Sequence, residues 1–100
     1  MAILAIFKGD GFTKDMYQKL RKELDLEHEN PVGGIFHAAA FDDAGEIHIV
    51  DIWESQEDMD KFFKDRLVPA MQVLNIPMPS NEVYPLNDAD AYAKIDQYKD

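Results

Sequence analysis

Two apolar runs joined by one four-residue turn constrain this chain most. Ile35–Phe41 and Glu46–Glu54 both read as β-strands, with Asp42-Asp43-Ala44-Gly45 between them. Asp first and Gly fourth suit a type I turn, with Gly45 left-handed as a bulge. A three-residue loop of Asp43, Ala44 and Gly45 pairs Asp42 with Glu46. Counting back, His37 then faces Asp51, and Ile35 faces Trp53. A two- or four-residue loop shifts the pairing by one and sends His37 to the face away from Asp51. The position of Gly45 favours the three-residue loop. The first of these strands is apolar on both sides, with Ile35, Ala39 and Phe41 on one and Phe36, Ala38 and Ala40 on the other. Neither face reads as solvated, so each needs a cover.

The rest of the chain supplies elements around this hairpin. Ala2–Phe7 is a continuous apolar run, a buried strand ended by Gly9-Asp10-Gly11. Thr13 caps a helix that runs to about Leu26, with Phe12 and Tyr17 at the two positions of a hydrophobic staple. Glu27–Gly34 is a loop by its Asn30-Pro31 and Gly33-Gly34 pairs. Ser55 starts a second helix, with Asp58 three residues on, and its apolar stripe runs from Met59 through Phe62, Phe63 and Leu67 to Leu74. Pro69 lies inside that stripe and cannot donate to the carbonyl of Asp65, so a kink or a break is expected there. Asn75–Asn81 is a loop, and Glu82–Leu86 a short strand that Pro85 confines to an edge or makes irregular. The polar stretch from Asn87 onward holds Tyr92 and Ile95, which could anchor a short helix on this chain or a partner. The division expected is one domain over residues 1–87 and a polar tail over 88–100. The order β-α-β-β-α-β is the split, ferredoxin-like α+β plan, with an antiparallel sheet and helices on one face only. A second sheet is the natural cover for the other face, which predicts a homodimer through the sheets.

Composition narrows the function. The chain has 100 residues, 46% of them hydrophobic, which is ample for one core. Twenty acidic against ten basic residues give a net charge of −10. That balance opposes nucleic acid and anionic membranes as partners. No cysteine is present, and the three histidines lack metal-ligand spacing, so neither metal nor cofactor is expected. The apolar N-terminus is too short to span a membrane and lacks a basic start, which makes the cytoplasm the expected location.

The three-residue loop brings His37, Asp51 and Trp53 to one face with Ile35, Phe41, Ile47 and Ile49. A carboxylate beside an imidazole fixes its tautomer and raises its basicity. His37 and Asp51 are therefore the candidate catalytic pair, taking a proton from an acidic carbon or phenol. Trp53 offers a flat surface to an aromatic ligand, and Phe41, Ile49, Tyr17, Phe63 and Arg66 are the further candidate ligand contacts. Arg66 is read either as a partner for an anionic group or as a surface arginine lying along the stripe. The competing reading is structural: an Asp–His pair that satisfies only itself, beside a core tryptophan.

Residues across nearly the whole chain carry a family likeness. These are the apolar opening strand, His37-Ala38-Ala39-Ala40-Phe41, Gly45 and Val50-Asp51-Ile52-Trp53-Glu54-Ser55. Phe62-Phe63, Arg66-Leu67-Val68-Pro69-Ala70 and Val83-Tyr84-Pro85-Leu86 follow. The chain resembles the dimeric α/β-barrel superfamily, in particular its antibiotic-biosynthesis-monooxygenase-like group. The resemblance implies dimerisation through the sheets, and a ligand held between sheet and helices on the Trp53 side. Haem-degrading relatives use a histidine on the second helix and an asparagine on the first strand. Gln56–Leu74 has no His and Ala2–Lys8 no Asn, which weighs against haem degradation. The missing asparagine also removes a polar partner that cofactor-free oxygenases use. Three functions stay open: a cofactor-independent oxygenase or isomerase of an aromatic or polyketide-like molecule, a non-catalytic small-molecule-binding dimer, and an interaction role without a pocket.

Overall fold

The structure is a computed structural model that describes residues 1–26 and 28–99. Glu27, in the expected loop, and Asp100, at the end of the expected tail, lie outside the described residues. Strands β1 (Ile3–Lys8), β2 (Gly34–Phe41), β3 (Ile47–Trp53) and β4 (Ser80–Pro85) form one antiparallel sheet in the order β2-β3-β1-β4. Helix α1 (Lys14–Leu24) follows β1, and α2 (Gln56–Phe62) and α3 (Val68–Val73) follow β3. This is the α+β, ferredoxin-like βαββαβ plan, and β4 with its Pro85 is an edge strand, where a missing donor costs least.

Local chemistry accounts for the elements. Thr13 Oγ1 accepts the Met16 amide, and Ser55 Oγ accepts the Asp58 amide, so each hydroxyl satisfies a free helix-start donor. Phe12 and Tyr17 form the staple, with ring centroids 6.5 Å apart. Helix α1 stops at Leu24, two residues before the expected end, because Asp25 turns left-handed (φ 49°) and its amide closes on the Arg21 carbonyl.

Pro69 acts as expected, in a specific form. Between α2 and α3 the residues Phe63–Leu67 make a π-helical turn, and the Val68 amide reaches back five residues to the Phe63 carbonyl. The chain thereby absorbs the missing proline donor without leaving the helical path.

The turn has the three-residue loop. The Gly45 amide donates to the Asp42 carbonyl at 2.9 Å, Asp42 donates to Glu46 at 3.0 Å, and Gly45 has φ 83°. His37 accordingly pairs with Asp51. One expected pair is corrected. Gly34, not Ile35, lies opposite Trp53, and the next pair is Phe36 with Ile52. Ile35 is the extra residue of a bulge at the start of the edge strand, two residues after left-handed Gly33 (φ 82°), and it is 54% exposed.

Helices cover one face of the sheet. Ile3, Ala5, Phe7, Trp53 and Met59 form one buried cluster there, and Phe12, Leu20, Leu24, Ile47, Ala70, Met71 and Ile76 another. Ile49 and Phe62 border both. On the other face Ile6 and Tyr84 stand exposed, as do Ala38 and Ala40 across strand β3 from them. After β4 a short 3₁₀ helix spans Ala93–Tyr98; Ile95 is half-buried, but Tyr92 is 77% exposed.

Candidate active site

A cavity of about 840 Å³ opens between the sheet and the helices. Its walls include Phe7 and Trp53 from the sheet, Leu20 from α1 and Met71 from α3. The π-helical turn shapes one wall. It starts the widened turn at Phe63, so that successive aromatics serve different partners: Phe62 lies 5.4 Å from Trp53, and Phe63 lies 5.4 Å from Phe7.

One chain of polar contacts crosses this apolar setting. His37 Nδ1 lies 2.6 Å from Asp51 Oδ1, and Trp53 Nε1 donates to Asp51 Oδ2 at 3.3 Å. The Asp51 side chain is only 11% exposed, whereas that of His37 is 39% exposed. On the far side of the imidazole, Nε2 lies 2.6 Å from the Tyr17 hydroxyl, and Arg21 Nη1 donates to that hydroxyl at 3.3 Å. An ionised carboxylate only accepts, so Nδ1 carries the proton in this arrangement. In the neutral imidazole Nε2 is then an acceptor, and the Tyr17 O–H donates to it. The bond network assigns these hydrogens.

His37, Asp51, Trp53, Ile49, Tyr17 and Phe63 all line the cavity. Phe41 does not; it packs edge-on against the Tyr17 ring at 5.9 Å and supports that ring from behind. Arg66 is drawn elsewhere. Its guanidinium donates to the Leu24 carbonyl at 2.8 Å, lies over the Phe62 ring and approaches Glu29 at 3.7 Å. An arginine that ties one helix end to another element serves packing, and here it borders a separate, smaller hollow of about 280 Å³.

Two features escaped the sequence. Tyr17 was expected only as a ligand contact, yet it is bonded to His37, and Arg21 was not singled out at all. The available signal was their spacing: residues four apart on a helix share a face, and the staple with Phe12 fixes where that face points. His48 is on the opposite face, where Nε2 donates to Asp42 Oδ2 at 2.8 Å. Among the described residues no group of three or more potential ligands could hold a metal ion, and no helix is long and apolar enough to cross a membrane.

No known family profile and no curated protein matches the chain. Solved structures do. A candidate antibiotic biosynthesis monooxygenase from Chloroflexus aurantiacus superimposes with TM-score 0.63 at 16% identity, covering 90% of this chain and 98% of its own. SnoaB, a cofactor-independent oxygenase from Streptomyces nogalater, gives 0.63 at 5% identity, covering 88% and 94%. Rv0793 from Mycobacterium tuberculosis gives 0.59 at 16%, covering 89% and 97%. At such identities the likeness is one of fold, and the fold is that of the antibiotic-biosynthesis-monooxygenase-like proteins.

Proposed function

We propose that this chain, built on the antibiotic-biosynthesis-monooxygenase-like fold, is a small enzyme that deprotonates an aromatic or polyketide-like substrate without metal or organic cofactor. The observation that carries the reading is the 2.6 Å contact between His37 and the nearly buried Asp51 at the wall of an apolar cavity. Asp51 holds the imidazole in the Nδ1–H tautomer and stabilises the imidazolium that forms when Nε2 takes a proton. The aromatic lining of the cavity, which includes Tyr17, Trp53 and Phe63, suits a flat apolar substrate. The resulting carbanion or phenolate then reacts with dioxygen or rearranges. The oxygenase activity given for SnoaB, a protein of the same fold, supports the first course. The reading includes a second copy of the chain seated on the uncovered sheet face, where Ile6 and Tyr84 stand exposed.

A second reading has its own observation. The Nε2 lone pair is already taken by Tyr17, as it would be in a pocket that binds without reacting. The two separate by experiment. Oxygen uptake and product formation are followed with a panel of quinols and flavonoid-like phenols. Wild-type protein is expected to turn over at least one of them, and folded His37→Ala to lose about 100-fold or more. Undiminished turnover by His37→Ala overturns the base. Saturable binding with no product from any compound favours the binding reading.

A further inference from the structure

We infer that the Tyr17 hydroxyl is the group that exchanges a proton with the substrate, with His37 and Asp51 as the relay behind it. This rests on the proton abstraction proposed above and changes the atom that performs it. In the bond network, Nδ1–H is committed to Asp51 and Nε2 to the Tyr17 O–H. Both rings line the cavity, but a substrate cannot bond to Nε2 without displacing the Tyr17 hydroxyl that already occupies it. The ring is held in place. It stacks on the imidazole at 6.1 Å and 14°, meets Phe41 edge-on, and packs against Phe12. Arg21, four residues on along α1, donates to the same oxygen at 3.3 Å.

The step balances. The substrate C–H or O–H bond breaks and leaves its electron pair on the substrate. The released proton bonds to Tyr17 Oη as the proton already there passes to His37 Nε2. Tyr17 stays neutral, His37 becomes an imidazolium held by the Asp51 carboxylate, and the substrate becomes the anion. Arg21 favours any phenolate character at Oη along the way.

The test uses the full chain in two arms. First, nitrogen NMR of the ligand-free protein reads the His37 tautomer, with His37→Gln providing the assignment. The expected result is a proton on Nδ1 and a hydrogen-bonded Nε2 whose resonance moves in Tyr17→Phe to that of an imidazole nitrogen open to water. A proton on Nε2 makes Tyr17 an acceptor and overturns the inference, whether or not any substrate is found. Second, on a phenol that the wild type turns over, Tyr17→Phe is expected to lower kcat about 100-fold with KM within a few-fold. Normal kcat in Tyr17→Phe with none in His37→Ala overturns Tyr17 but leaves the His37 base standing. Normal kcat in both sinks the base itself.

Discussion

Asp51 does two jobs with two oxygens: Oδ1 faces His37 and Oδ2 takes the indole N–H of Trp53. A nearly buried carboxylate with both oxygens engaged holds its neighbours in one geometry, which is what a general base requires. A second His–Asp pair on the same hairpin shows the contrast. Asp42 accepts from His48 and from the amides of Ala44 and Glu46 at the surface. The His48 bond first, then the Glu46 amide, hold its carboxyl below the ordinary 3.8. A lowered folded value adds stability that is present above the unfolded value and lost as pH falls through the folded one. The turn is therefore expected to loosen only below about pH 4, by the usual range for aspartate. Protection of the Ala44 and Glu46 amides, measured against their intrinsic exchange rates at each pH, should fall there in wild type. In Asp42→Ala that protection should already be low at neutral pH and change little on acidification. At this scale the pairing of His37 with Asp51 was legible, because Gly45 sets the register. The Tyr17–His37 bond was not, since helix spacing says which residues share a face but not where that face meets the sheet. Nor was the fate of Arg66, which depends on where α1 ends.

The turn and the π-helical segment carry the site at the scale of elements. Gly45 has nothing within 4 Å of where a Cβ would stand, so its role is conformational alone. Gly45→Ala is expected to cost about 1 kcal/mol through its positive φ, and Gly45→Asn less, as read by chemical denaturation. Equal stability of all three proteins would contradict the turn geometry. Pro69 announced a discontinuity in the second helix. That it would be a π turn starting at Phe63, with two successive aromatics lining and buttressing the cavity, followed only from packing against Phe7 and Trp53. The bulge at Ile35 was hidden for a related reason. Gly33-Gly34 signals a turn, but does not say which residue first joins the ladder.

At the scale of the whole molecule the uncovered sheet face is the surface on which a second copy is expected to sit. A 100-residue chain gains from a second copy, because small domains bury a modest share of their surface alone. Sedimentation at micromolar concentration is expected to show a dimer, and Ile6→Asp, an unpaired charge on that face, a monomer with its fold retained. Two copies of charge −10 repel, so added salt should tighten the assembly. A wild-type monomer would remove the second copy from the proposal. The two-sided apolar pattern of β2 made this face legible early, as did the one-sided placement of helices in a βαββαβ chain. The most direct test of the central claim separates binding from chemistry at one residue. With a phenol or quinol that the wild type binds and converts, His37→Gln is expected to keep Kd within a few-fold while kcat falls about 100-fold or more. Conversion by His37→Gln at the wild-type rate would contradict the account.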